Sequence, residues 1–391
     1  MSRQAQAVAI GLFVVAYGTN VSTPFLVLYR DGLELTDNQT QMIFVVYVVG
    51  ILSTLMIAGQ LSDRYGRKPL LVTALAFSAV ASLLMIFGRD SFALLLVGRV
   101  LLGGVSGAGL GVAAAWLQEL VGSGQEKKAA LIATLVTYGG FGAAPPISVL
   151  YEWIGPSPLV VPFLLHMALA VAVIPIVLWV DETVDVAAAA RRGPWRPSVR
   201  FGVPASARRG FLWYVTPLAV LVFAFPSMAF SLFPVLLSDT VGASQVLLTG
   251  VSGTSTAWGG LLARPFLERV TSKESMGLGA AIGTVGYIMG TTAFLTGAWL
   301  LVWPAAVLLG AASGIIATTG LALVGQLTND DTRGTLTSTF YLLAYIGMTL
   351  PLIVSALGGA IGTTPVLIGI TVLAGTLALT APARRRIAAL S

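Results

Sequence analysis

Long apolar runs separated by short polar turns recur along the whole chain, at residues 6–29, 39–61, 69–88, 91–119, 129–151, 159–180, 211–237, 243–267, 275–297, 299–327, 334–358 and 363–382. A bilayer core about 30 Å thick needs about 20 helical residues per crossing, and an open sheet would leave its edge groups unpaired in lipid. The pattern therefore predicts an all-α polytopic membrane protein with twelve transmembrane helices. The first run follows Arg3 as a secretory leader would, yet it continues through Pro24 to Tyr29 without a small-residue cleavage site, so we expect it to remain as a helix.

Composition narrows the chemistry. With 56% hydrophobic and 10% charged residues, most of the surface must face lipid rather than water. There is no cysteine and a single histidine, which excludes disulfides, thiol catalysis and multi-histidine metal sites. The net charge of +6 is a topological signal. If both termini are cytoplasmic, all of the 22 basic residues except Arg30, Arg89 and Arg99 fall on the inner side, as the positive-inside rule favours. No soluble basic face is left for nucleic acid.

One long polar connection divides the chain. We expect residues 1–183 to form one six-helix bundle, 184–210 a cytoplasmic loop, and 211–391 a second bundle. The halves echo each other: Leu101-Leu102-Gly103 with Ser106-Gly107 recurs as Leu308-Leu309-Gly310 with Ser313-Gly314, displaced by 207. Asp63-Arg64 before Lys68 is answered by Glu268-Arg269 before Lys273, and Pro145 by Pro351, at displacements of 205 and 206. A shared displacement points to duplication.

The turn between the second and third runs carries Gly59, Leu61, Asp63, Arg64, Gly66, Arg67 and Lys68. This spacing resembles the most specific signature of the major facilitator superfamily, Gly-x-Leu-x-Asp-Arg-x-Gly-Arg-Lys. Glu126-Lys127-Lys128 and Asp331-Thr332-Arg333-Gly334 are similar to the family's other charge clusters. The resemblance covers the whole chain and implies two six-helix bundles around a central cavity. It also implies that Asp63 bonds to the second bundle near its span 11 when the cavity faces outward, making the turn a cytoplasmic gate latch. Locally, Gly59 and Gly66 suit close helix approach and tight reversal, and Asp63 can accept from Arg67 or cap a helix.

Two further segments resemble the drug:proton antiporter-like exporters of this family. Leu95-x-x-x-Arg99-x-x-Leu102-Gly103 is similar to a motif of proton-coupled exporters, with Leu where that motif prefers Gln. Arg99 lies within a run, where a central arginine costs about 2.5–3.5 kcal/mol on insertion scales, so it must serve a function or pair with backbone carbonyls or the interface. The stretch Tyr138 to Pro146 partly matches the antiporter subgroup's glycine–proline motif, with Gly142 and Pro145 predicting a helix bend. His166 could carry a coupled proton or simply hydrogen-bond near the interface, the latter fitting the peripheral place of span 6 in the family's fold.

Acids are scarce inside the runs. Asp31, Glu119 and His166 remain as proton-binding candidates, with Glu119 nearest to an embedded carboxylate. The resemblance places the cavity chiefly on spans 1, 4, 7 and 10, with contributions from 2, 5, 8 and 11, and on these spans Tyr17, Asn20, Tyr138, Trp258, Tyr341 and Tyr345 are among the side chains able to meet substrate. Aromatic walls with few fixed charges suit an uncharged or amphipathic organic compound. The expectation is a monomeric secondary transporter of the plasma membrane, with a small-molecule substrate, protons as a candidate coupling ion, and neither cofactor nor metal. Efflux is the leading direction; an importer, a facilitator or a non-transporting sensor with the same fold is the alternative. Catalytic clustering of acids, histidine or cysteine is missing, so no enzyme is expected.

Overall fold

The computed structural model describes residues 1–122, 124–190, 201–241, 245–263 and 272–388, with the side chains of 190, 272–274 and 330–331 outside the description. Arg264, Glu268, Arg269 and Lys273, like the side chain of Asp331, lie outside the described residues, so the counterpart of the charged turn is not characterised. The described chain is helical, and among the described residues eleven helices are long and apolar enough to cross a membrane. The twelfth expected crossing is occupied by Gln245–Leu262, an 18-residue helix diluted by serine, threonine and glycine.

The chain forms two compact units, Met1–Leu35 with Met42–Val199, and Thr36–Gln41 with Arg200–Ser391. The helices up to residue 190 are α1 (Arg3–Asn20), α2 (Leu26–Gly32), α3 (Asp37–Val45), α4 (Tyr47–Tyr65), α5 (Arg67–Gly88), α6 (Phe92–Val121), α7 (Glu126–Ile154), α8 (Val161–Leu178) and the short α9 (Val186–Ala190); they belong to the first unit, except that the start of α3, to Gln41, belongs to the second. Starts are set locally. The Ser2 hydroxyl accepts from the Ala5 amide at 3.1 Å and opens α1, as Ser91 does for α6 from Leu94. Helix α1 packs on α5, α6, α7 and α8, burying Leu12, Val15, Leu71, Leu75, Trp116, Val173 and Val177.

In lipid, hydrophobicity does not pull helices together, so contact must come from shape. Glycine supplies it between α4 and α6. A Cβ on Gly50 would meet the Val100 carbonyl at 1.9 Å, and one on Gly103 the Tyr47 carbonyl at 2.0 Å. The two backbones therefore touch.

The second unit contains α10 (Arg208–Leu236), whose α-helical turns alternate with π-helical Phe211–Val215 and Met228–Leu232. It is followed by α11 (Gln245–Leu262), α12 (Ser272–Thr296), α13 (Val302–Leu327), α14 (Asp330–Gly347), α15 (Leu350–Ile361) and α16 (Thr363–Ile387). Phe211, Phe225, Phe233, Met276, Leu309 and Phe340 form its core. Here α11 meets α13 as α4 meets α6: a Cβ on Gly310 would stand 2.0 Å from the Thr256 carbonyl, and one on Gly259 would stand 2.3 Å from that of Val307. The sequence repeat is thus a repeat of helix contacts.

Candidate functional site

The charged turn is the densest polar construction in the first unit. Gly66 ends α4 and precedes α5 with φ +103°, a conformation that favours glycine. A Cβ there would also strike the Glu182 carboxylate at 2.3 Å. That carboxylate caps α5, accepting from the Arg67 amide at 3.0 Å and the Lys68 amide at 2.9 Å, where the helix dipole favours an anion. Arg67 then reaches back to Asp63 at 2.6 Å and across to Glu119 at 2.9 Å, and donates to the Ser62 hydroxyl. Thr183 donates to the other oxygen of Glu119, Arg64 donates to the Ala189 carbonyl at 2.7 Å, and Gln4 donates to Asp181 at 2.6 Å.

Several expectations change at this point. Asp63 pairs with Arg67 as anticipated, but Glu119 is the arginine's ion-pair partner rather than an embedded proton site. Asp31 likewise pairs with neighbouring Arg30 at 2.9 Å and is exposed. A Cβ on Gly59 would meet nothing within 4 Å, so the close approach expected there occurs at Gly66 instead. Glu182 and Thr183 were missed by the motif reading. Their signal was available: Asp181-Glu182-Thr183 sets acids immediately after an apolar run at the basic end of the bundle, where charge bias gives them no purpose.

Arg99 is buried, with 2% exposure, near the start of α6. It donates to the carbonyls of Ile43 at 3.0 Å, Thr19 at 3.2 Å and Phe44 at 3.3 Å, and to the Ser22 hydroxyl at 3.1 Å. Its guanidinium lies 4.8 Å from the centre of the Tyr47 ring and 5.9 Å from that of Phe44. The partners have a common origin. A helix end leaves its last carbonyls without intrahelical donors, and α1 ends at Asn20 while α3 gives way to α4 at Val46. Arg99 satisfies carbonyls at both interruptions with one planar fork.

Although α8 itself stays peripheral, with Leu164, Val171 and Ile176 exposed, His166 lies buried against a neighbouring helix rather than at the interface. It is completely buried, with Nδ1 2.6 Å from the Ser82 hydroxyl and Nε2 3.2 Å from that of Ser78, so α8 is tied to α5. Its ring lies so close to Gly18 that a Cβ there would fall 2.3 Å from Nε2, and it stands 5.9 Å from the Tyr17 ring. Tyr17 is itself core, its hydroxyl buried with no hydrogen-bond partner among the described residues. Asn20 donates to the Phe141 carbonyl at 3.2 Å, and Tyr138 meets the Phe141 ring edge-on at 6.4 Å. Helix α7 runs unbroken through Pro145 and Pro146, so the bend predicted at Pro145 does not interrupt it. Gly142 is buried, while Gly140 makes the close approach to α1, where a Cβ would lie 2.7 Å from the Phe13 carbonyl.

In the second unit, Tyr341 and Tyr345 form a ladder with Phe223. The Phe223 and Tyr345 rings stack at 4.5 Å, and Tyr345 lies 6.5 Å from Tyr341. Trp258, on α11, is 44% exposed and stands apart from that ladder. Among the described residues no group of three or more His, Cys, Asp or Glu side chains could hold a metal.

The chain spans about a quarter of the length of the curated relatives it matches. It is 36% identical over 100 residues to the bacillibactin exporter of Bacillus subtilis (strain 168), covering 24% of this chain and 25% of that protein. It is 31% identical over 158 residues to the glycine betaine/proline/ectoine/pipecolic acid transporter OusA of Dickeya dadantii (strain 3937), covering 38% and 28%. Solved structures match along nearly the full chain: the POT family transporter PepTSo with TM-score 0.76, 13% identity and coverage of 99% and 98%, and a D-xylose–proton symporter with TM-score 0.71, 13% identity and coverage of 97% and 96%. At such identities the likeness is one of fold. A family model described as Major Facilitator Superfamily matches residues 8–350, most of the chain, and this match agrees with the duplicated helices and the charged turn; the chain belongs to the Major Facilitator Superfamily.

Proposed function

We propose that the protein is a secondary active transporter that moves a small uncharged or amphipathic organic compound across the cell membrane by alternating access, in the direction of efflux. The observation that carries this reading is the network around Gly66, with Asp63, Arg67, Glu119 and Glu182 gathered at one end of the first bundle. Partly exposed ion pairs contribute about 0–1 kcal/mol each, which suits contacts that must open in every cycle. Basic-residue bias supports a cytoplasmic side for this end and for both termini.

The substrate class follows from side chains already described. Arg99 is engaged by three carbonyls and a hydroxyl, so an anion would have to displace bonds that hold two helix interruptions. The ladder of Phe223, Tyr345 and Tyr341 offers an apolar, π-rich wall with polar tips. Local similarity to the bacillibactin exporter supports efflux, while the longer similarity to the transporter OusA supports transport without a direction. Protons are the coupling ion this reading favours, with His166 as carrier. Serine hydroxyls, which can donate or accept, face both of its ring nitrogens.

Purified protein in liposomes, tested against a compound panel with and without an imposed pH gradient, separates these readings. Gradient-driven flux of an uncharged or amphipathic compound, lost in His166→Gln, is expected. Gradient-independent flux would make it a facilitator, and no flux of any compound would favour a sensor.

A further inference from the structure

Five arginines gather at one end of the second unit. Arg208 and Arg209 open α10, and Arg384, Arg385 and Arg386 close α16. Arg209 joins the two ends, donating from Nε to the Ile387 carbonyl at 2.6 Å, while Arg384 donates to the Thr380 hydroxyl of its own helix at 3.0 Å. Neither helix offsets this charge, because residues 201–238 and 332–391 contain no Asp or Glu. Membrane topology asks only that basic residues stand on one side. It does not ask for a cavity among them.

A cavity of about 380 Å³ lies at this end, where α10, α12 and α16 meet, and its lining includes Tyr214, Gly277, Leu278, Ala378, Ala381 and Arg385. A Cβ on Gly277 would stand 2.8 Å from that of Ala381, so α12 and α16 touch through small residues, and the Tyr214 hydroxyl lies 3.9 Å from the same point. The volume is within the range of ligand pockets, about 300–1,000 Å³. Its one charged lining residue is a guanidinium, which presents donors to an anion.

The depth of the cavity selects the kind of anion. Trp213, next to Tyr214, is 51% exposed, and Leu379, next to Ala378, is 85% exposed, both on membrane-crossing helices. Exposed tryptophan marks the level of lipid headgroups. A hydrocarbon gains nothing from Arg385, and a soluble anion gains nothing from the apolar faces beside it. A molecule with a phosphate and acyl chains uses both.

We propose that this cavity seats the phosphate of an anionic phospholipid from the adjoining leaflet, Arg385 donating to its oxygens while the acyl chains lie along the exposed apolar faces of α10 and α16. The neighbouring arginines enrich such lipids around the site. The inference rests on the fold and not on transport.

Photolabelling of the whole protein in phosphatidylcholine nanodiscs tests it, with a trace of phosphatidylglycerol bearing a diazirine in its acyl chain or, separately, of phosphatidylcholine bearing the same group. Phosphatidylglycerol should label peptides containing Trp213 or Leu379 above those of other lipid-facing helices, and phosphatidylcholine should not. Arg385→Gln should cut that labelling about five- to tenfold. Ala378→Phe, which fills the cavity and keeps every charge, should cut it by about the same factor, with Ala378→Leu as a second variant if the first misfolds. Arg386→Gln removes an equal charge from an exposed residue outside the lining and should lower labelling by no more than about twofold. Inorganic phosphate in the buffer should change nothing. Labelling unaltered in Arg385→Gln or in both Ala378 variants, or equal losses in Arg385→Gln and Arg386→Gln, would overturn the cavity as the site. Equal labelling by the two lipids would overturn selection by charge, and displacement by inorganic phosphate would overturn a lipid as the occupant.

Discussion

The crossing of α4 with α6 in the first unit and that of α11 with α13 in the second use the same device, and then diverge. In each, glycines bring backbone against backbone: Gly50 and Gly103 in one, Gly259 and Gly310 in the other. Even the serines correspond, Ser106 meeting Thr19 of α1 at 2.9 Å and Ser313 donating to Val222 of α10 at 2.5 Å. Yet at the displacement of 207 that aligns Gly103 with Gly310 and Ser106 with Ser313, Arg99 is answered by Ala306, fully buried in an apolar core. The duplicated feature is the shape that lets helices touch. At this crossing the buried charge stands in the first unit, where the ends of α1 and α3 leave carbonyls that need a donor.

The sharpest way to break this comparison is to remove its asymmetric element. Arg99→Ala should destabilise the protein by about 3–5 kcal/mol, read as loss of thermal unfolding temperature in detergent, because the carbonyls of Thr19, Ile43 and Phe44 lose a buried cationic partner. Arg99→Lys should recover little, since an ammonium lacks the planar fork. A stable Arg99→Ala protein with only transport impaired would show that the guanidinium acts on substrate and not on structure.

The symmetric element should fail symmetrically. Gly103→Ala and Gly310→Ala each drive a methyl group into a backbone carbonyl, and each should cost about 1–3 kcal/mol by the same measurement. A large loss in one half alone would mean that only one crossing is rigid.

Smaller stability effects with large functional ones belong to the charged turn. Asp63→Ala should change stability by less than about 1 kcal/mol, because the carboxylate is largely exposed, while abolishing most transport in reconstituted vesicles. Wild-type rates in that variant would refute the latch. Glu182→Ala should remove the cap from α5 at a cost of about 1 kcal/mol and slow transport with it. At the smallest end, Gly59→Ala should leave stability unchanged or raise it by up to about 1 kcal/mol, whereas Gly66→Ala should lower both stability and transport.

These contrasts show what could be read in advance. The first crossing expected at 6–29 falls within the observed Arg3–Gly32, that at 69–88 coincides with α5 but for its first two residues, and the run 299–327 has the observed limits. Apolar runs report the local solvent, and lipid imposes helix on each run separately. The 243–267 run reads as a crossing from its apolar residues, and the helix found there, Gln245–Leu262, is not among those apolar enough to cross, because serine, threonine and glycine dilute it. His166 was misjudged because depth along a helix is written in the sequence while the direction the side chain faces is not.

By itself, then, the sequence determined the helices, their duplication, the turn at Gly66 and the poverty of embedded acids, all properties of neighbouring residues or of composition. Tertiary structure alone decided the partners. Glu182 meets Arg67 across 115 residues, and Arg99 reaches Thr19 across 80. No local pattern encodes such pairs, because a side chain's partner depends on which helix faces arrive beside it. In this chain those faces are set by glycines whose value is the backbone they allow to approach.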